Sequence, residues 1–227
     1  MSKEFYVAYL IMCHKNPHQI NRLISKLQSE HSACFVHIDS CADFGPESIR
    51  GVPTENRYHG VLGSYSLVQI SDELMQRAKA YEKENDIHFC YFCLVSGQDY
   101  PLNNIGSIQD ELQKNYPTPY IDCTPSVKGN WVYTGAKHSA WWNVTNLKIN
   151  RLLPKPGIVR KLVKLPVLVV DFITRNWMNP RTMLSKDHID LYGGSAWWIL
   201  PDVMVDYLLD AAKNFTKENK FYPLTGV

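Results

Sequence analysis

The run Phe89-Cys90-Tyr91-Phe92-Cys93-Leu94-Val95 is apolar at every position and ends abruptly in Ser96-Gly97-Gln98-Asp99-Tyr100-Pro101-Leu102. A short, wholly apolar segment bounded by a glycine turn predicts a strand buried on both faces, the kind found in the middle of an α/β sheet. Open α/β sheets bind ligands just beyond the carboxyl ends of such strands. Asp99 therefore stands where chemistry is expected. A second stretch, Tyr192-Gly193-Gly194-Ser195-Ala196-Trp197-Trp198, sets two glycines before a pair of indoles. Glycine lets backbone approach a ligand closely and indoles stack on flat apolar faces, so this segment suits the wall of a sugar or base pocket.

Strand and helix patterns alternate through the first half. Phe5, Val7 and Tyr9 alternate with other residues in a first strand. Asn16 is a good N-cap, Pro17 suits the first helical position, and Ile20, Leu23, Ile24 and Leu27 follow at i, i+3, i+4, i+7. Cys34 to Asp39 reads as the next strand. Ser66 with Gln69 makes a capping-box pattern, and Ile70, Leu74, Ala78 and Tyr81 keep one helical face apolar. Ile108 and Leu112 mark a further helix, and Tyr120 to Cys123 a short strand. Gly193 to Trp198 reads as a strand too, with a helix opening at Pro201 and carrying Val205, Leu208, Leu209 and Ala212 along one side. This β-α-β-α order predicts an α/β fold, a mostly parallel central sheet with helices on both faces.

The whole chain, 1–227, reads as one domain. A net charge of +2 argues against a dedicated nucleic-acid binder, but the charge is uneven. Between Lys148 and Lys186 nine basic residues face one acid, Asp171. That imbalance suggests an anionic partner, a phosphate or a membrane surface, and the apolar residues from Ile158 to Ile173 fit either a basic amphipathic segment on a membrane or a docked helix. The six cysteines fall mostly in apolar runs and read as reduced core thiols. Cys90 and Cys93, three apart on a strand, point to opposite faces and cannot chelate one metal. No G-x-G-x-x-G and no Walker A loop is present.

Taken in order, these segments resemble the core-2/I-branching glycosyltransferase family, which includes β-1,6-N-acetylglucosaminyltransferases and peptide O-xylosyltransferases. The motifs are Ser96-Gly97-Gln98-Asp99-Tyr100-Pro101-Leu102 and Gly193-Gly194-Ser195-Ala196-Trp197-Trp198. Ala8 to Lys15 resembles the family's first strand and turn, Cys34 to Asp39 its "VHxD" strand, and Gly63 to Gln69 the start of its long helix. The resemblance runs from about Tyr6 to Leu209. It implies a GT-A-like, Rossmann-type fold and inverting transfer of a sugar, N-acetylglucosamine or xylose, from a UDP-sugar to a glycan hydroxyl. Such transfer builds positive charge on the sugar and negative charge on the departing diphosphate, and a carboxylate base takes the acceptor proton. The chain has no Asp-x-Asp. That agrees with a family that needs no metal and no cofactor and neutralises the diphosphate with basic side chains.

Carried over by position, the resemblance implies donor binding by Met12, Cys13, His14, Asp39 and Asp99, with Asp39 against the uracil. Gly194, Ser195, Trp197, Trp198 and Trp142 would frame the donor-sugar and acceptor pocket. Alternation along a strand lets one of the paired indoles line the site and sends the other into the core. Asp39 and Asp99 also each fit a plain turn-forming role. The family's catalytic glutamate belongs to an Asp-Glu pair beyond the helix that follows the Trp-Trp strand. No glutamate follows Glu218, so the catalytic residue is expected beyond Val227 and the chain reads as C-terminally short. The expected partners are a UDP-sugar, a glycan acceptor and an anionic membrane surface through 148–186, with no nucleic acid. With no leader or anchor visible, the expected place is the cytoplasm, peripheral to the inner membrane face. The alternatives are a non-catalytic nucleotide- or sugar-binding module and a membrane-surface-binding protein.

Overall fold

A computed structural model describes residues 4–61, 65–125, 169 and 192–218. The chain divides into two compact units, one of Met1–Ile121 with Ala196–Val227 and the other of Asp122–Ser195.

The first unit is built on a five-stranded sheet. In chain order its elements are β1 (Tyr6–Cys13), α1 (Pro17–Leu27), β2 (Ser32–Ile38), a 3-10 turn at Pro46–Ser48, β3 (Val52–Pro53), α2 (Tyr65–Asn85), β4 (Phe89–Ser96) and α3 (Ile105–Asn115). The second unit contributes the short pair β5 (Thr124–Pro125) and β6 (Tyr192–Gly193), and the chain then returns to β7 (Trp198–Pro201) and α4 (Asp202–Glu218). The sheet order is β3-β2-β1-β4-β7, with the first four strands parallel and β7 antiparallel to β4. This is the expected α/β architecture with a mostly parallel sheet.

Alternation along β1 shows why these residues fold this way. Val7, Tyr9 and Ile11 face one core with Ile20, Leu23, Ile24 and Leu27 of α1 and Leu112 of α3. Ala8 and Leu10 face the other with Ile70, Leu74, Met75 and Ala78 of α2 and Val205 of α4. Helices thus cover both faces, and the apolar run of β4 supplies Tyr91 and Cys93 to one core and Phe92 and Leu94 to the other. The α1 cap is as expected: Asn16 Oδ1 accepts the Gln19 N–H, and Pro17 opens the helix.

Four expectations shift. The strand expected over Tyr120 to Cys123 is reduced to a single bridge from Tyr120 to Ile199, and β5 begins only at Thr124. Ser66 lies inside the first turn of α2, where its hydroxyl accepts the Val61 N–H. The strand expected through Gly193 to Trp198 is interrupted: β6 pairs with β5, and β7 starts only at Trp198. At Gly194 a Cβ would overlap the Asp122 carbonyl, so the chain passes its neighbour where only glycine fits. Pro201 ends the strand and the helix begins at Asp202; Leu208 faces outward on α4, while Val205 is buried and Leu209, four residues on, packs beside it.

Polar groups staple the edge of the sheet where β4 begins. Glu82 of α2 accepts the Phe89 N–H at 2.6 Å and holds Lys79 at 2.7 Å, which also reaches Asp206 of α4 at 3.0 Å. Asp202, buried at the start of α4, accepts from the Tyr116 hydroxyl at 2.7 Å and pairs with His88 at 2.8 Å.

Among the described residues one buried side-chain group is unsatisfied. The Tyr9 hydroxyl is buried with no hydrogen-bond partner among the described residues, and burial pushes its pKa upward. A buried hydroxyl without a partner costs about 1–3 kcal/mol. Tyr9→Phe is therefore expected to raise unfolding stability by about 1 kcal/mol in urea titration; a loss of stability would show that the hydroxyl is bonded in solution.

Candidate functional site

The strand order contains a reversal. The chain moves outward from β1 through α1 to β2 and β3, then crosses by α2 to β4 on the other side of β1. α1 and α2 lie on opposite faces, so the connections diverge at the carboxyl ends of β1 and β4. Ligands of open α/β sheets sit at such switch points. Met12 and Cys13 end β1 there, and Ser96 to Asp99 leave β4 there.

Backbone bonds lace these strand ends together. The Gly97 N–H donates to the Met12 carbonyl at 2.8 Å, and the Asp39 N–H donates to the Cys13 carbonyl at 2.8 Å. Gly97 is obligatory in this lacing, since a Cβ would stand 2.9 Å from Cys13 Cβ and 3.1 Å from Ile20 Cγ1. Met12 is half-buried, Cys13 buried and His14 exposed. Burial pushes the Cys13 thiol up to about 12, which leaves it neutral and unreactive at physiological pH.

Asp39 follows β2 and is buried. Its Oδ1 accepts the Cys41 N–H at 2.7 Å and faces His59 Nδ1 at 3.1 Å, while Oδ2 accepts the Gly60 N–H at 2.7 Å. Burial alone would raise this carboxyl. The Cys41 and Gly60 N–H groups and the His59 ring outweigh it and hold Asp39 below the usual carboxylate range. A carboxylate offers about four acceptor positions, and these donors occupy most of them. The turn-forming role is thus present in full, and a ligand N–H or O–H would meet what remains of Oδ2.

The loop around Asp39 is set by residues with no periodic signature. The Arg57 guanidinium donates to the Ile38, Asp39, Ala42 and Phe44 carbonyls, at 2.8–3.4 Å. His37, buried in β2, accepts the Tyr58 N–H through Nε2 at 2.9 Å, and the two rings stack. Accepting at Nε2 makes this ring the neutral tautomer with its proton on Nδ1. Sequence reasoning found Asp39 but missed Arg57, His59, Gly60 and His37 as its scaffold. Of these only His37, in the VHxD-like motif, carried a sequence signal.

Asp99 is exposed. Its Oδ2 accepts the Ser96 N–H at 2.7 Å and its own N–H donates to the Ser96 carbonyl at 3.0 Å, which closes the turn after β4. Trp198 begins β7 opposite Leu94, half-buried against the α2-side core, and Trp197 before it is exposed. Trp197 precedes the strand, so the alternation expected of the paired indoles does not govern them. Gly194 and Ser195 belong to the second unit, where both are exposed. Trp142 and the basic segment 148–186, Val169 apart, lie outside the described residues. Asp39, Cys41 and His59 place a carboxylate oxygen, a thiol and an imidazole nitrogen within 4.8 Å of one another, with the Asp39 oxygens already bonded to the Cys41 and Gly60 N–H groups and His59.

No protein-family model matches the chain, and no curated protein matches it.

Burial lowers the His37 pKa to about 4, against smaller opposing effects of Asp39 and Glu73. An unfolded histidine takes its proton near 6.5. The unfolded chain thus binds more protons between these values, and stability from His37 is full above about 6.5 and lost as pH falls toward 4. Asp72, pushed up to about 6 by burial, acts in the opposite sense over part of this window. The His37 share is read as the difference between wild type and His37→Phe in urea titrations. We expect wild type to lose up to about 1.4 kcal/mol more per pH unit in this range; parallel pH profiles would show that His37 is not held neutral.

Proposed function

We propose that this chain carries the donor half of an inverting, metal-independent glycosyltransferase of GT-A-like fold. In this reading it binds a UDP-sugar, of N-acetylglucosamine or xylose, for transfer to a glycan hydroxyl. The observation that carries the proposal is the gathering of Met12, Cys13, Asp39 and Asp99 at one switch point of a mostly parallel sheet. These are the positions that the family resemblance assigns to the donor.

Each residue then has a physical task. The remaining acceptor capacity of Asp39 takes the imide N–H of uracil, the one donor on that edge of the base. Met12 and Cys13 floor the base beside it, and the exposed Asp99 accepts from ribose or sugar hydroxyls. The exposed Trp197 walls the sugar, while Trp198 packs against the core. Fixed basic side chains in place of a metal stabilise the departing diphosphate, as the lack of any Asp-x-Asp requires under this reading. The basic segment 148–186 would hold the protein at the inner face of a membrane. No helix among the described residues is long and apolar enough to cross one.

The test is calorimetric titration of UDP and UDP-N-acetylglucosamine, first with EDTA and then with manganese. Saturable binding indifferent to EDTA is expected. Asp39→Asn should weaken it about tenfold, the worth of one charge-assisted hydrogen bond, with circular dichroism unchanged. Absence of nucleotide binding to wild type, or binding only with manganese, would overturn the proposal. Tight binding without sugar transfer to any glycan acceptor would assign the chain as a nucleotide-binding module instead.

A further inference from the structure

The outer face of α1 is basic without an acid. Ile20, Leu23, Ile24 and Leu27 bury one side of this helix, and His18, Arg22 and Lys26 recur every fourth residue on the other, with Lys15 just before the helix. All four are exposed. The Arg22 guanidinium lies 5.6 Å above the Tyr100 ring, so the loop that leaves β4 is joined to this face. That loop is unusual. Leu102 is 100% exposed and Tyr100 42% exposed, with Pro101 between them.

We propose that the α1 face and the Tyr100–Leu102 loop form a docking surface for an anionic lipid bilayer. The two components match the two layers of a membrane surface: cations for the headgroup charge, and an aromatic and an aliphatic side chain for the headgroup–acyl boundary. A soluble polyanion would use the cations and leave a fully exposed leucine without a role. Asp99 is the one acid in the loop, and the Ser96 N–H partly satisfies its carboxylate. On α3, the exposed acids Asp110 and Glu111 lie in the second half of the helix, while Asn103, Asn104 and Ser107 near the loop are uncharged. The basic face therefore runs along the α1 flank, from the carboxyl edge of the sheet, where the Tyr100–Leu102 loop lies, to Lys26 in the last turn of the helix. Docked this way, the protein would hold its switch point near an acceptor carried in the membrane. The docking itself is independent of the transferase reading, because it is measured without nucleotide.

The test is flotation of the full chain with vesicles of equal parts phosphatidylcholine and phosphatidylglycerol, against phosphatidylcholine alone. Wild type is expected to float with the anionic vesicles only, and less at high salt. Each Lys or Arg near an anionic surface is worth about fivefold in partitioning. Arg22→Gln with Lys26→Gln should thus weaken binding about 25-fold. Lys15→Gln with Lys26→Gln, which leaves the Arg22–Tyr100 contact intact, should do the same. Leu102→Ser, at a site that packs against nothing, should cost about tenfold. The proposal is overturned if wild type ignores anionic vesicles, or if the charge variants bind as wild type does, which would place lipid binding in 148–186. It is equally overturned if the charge variants lose heparin and vesicles alike while Leu102→Ser changes neither, since that pattern describes a polyanion site.

Discussion

The carboxyl edge of this sheet depends on one buried carboxylate. Asp39 draws together the Cys41 N–H, the Gly60 N–H and the His59 ring, groups up to twenty-one residues from it along the chain. That convergence ties the segment between β2 and α2 to the carboxyl end of β2, beside the β3 pairing and the Tyr58 N–H bond to His37. Charge-assisted hydrogen bonds are about twice as strong as neutral ones, and here they add to the packing of Ala42, Phe44 and Ile49 against the α1-side core. Arg57 completes the arrangement from the opposite sign, by gathering four carbonyls that would otherwise face one another. The loop is thus held by a central anion that collects donors and a central cation that collects acceptors.

Much of the fold was legible because burial repeats. The α1 positions Ile20, Leu23, Ile24 and Leu27, the α2 positions Ile70, Leu74 and Ala78, and the unbroken apolar run of β4 all declare which side faces inward. The expected order of strands and helices holds through α3, with the two-residue β3 added and the strand expected at Tyr120 to Cys123 reduced to one bridge. The site was less legible. Asp39 and Asp99 could be singled out by their place at strand ends, but their partners come from loops. A residue such as Arg57, which bonds only to backbone carbonyls, leaves no pattern in a sequence. The break between β6 and β7 was hidden for a related reason. Gly194 is required by the nearness of the Asp122 carbonyl, a contact between segments far apart in the chain.

The two edges of the sheet that meet the connecting loops are organised differently. At the carboxyl edge, backbone N–H groups satisfy side-chain carboxylates, which leaves ring and thiol groups near the surface. Where β4 begins, Glu82, Asp202, Lys79 and His88 satisfy one another between α2 and α4. Tyr116 adds its hydroxyl, and its pKa is driven upward by the Asp202 carboxylate and by burial. This second cluster ties helix to helix and the start of β4 to both. It anchors the face that α2 and α4 share, against which the switch point is built.

The sheet's lateral boundaries have a consequence of their own. An open row of strand amides invites a strand from another molecule. On one side the row ends in β3, two residues long, whose second residue is Pro53 and has no N–H to offer. On the other, Ile199 of β7 exchanges both backbone bonds with Tyr120, at 2.9 and 3.0 Å, so the outer rim of that strand is already occupied. Among the described residues a partly unfolded copy therefore finds no long flat edge of this five-stranded sheet on which to grow a fibril, although the centre of the sheet is among the most apolar and β-prone sequence in the chain.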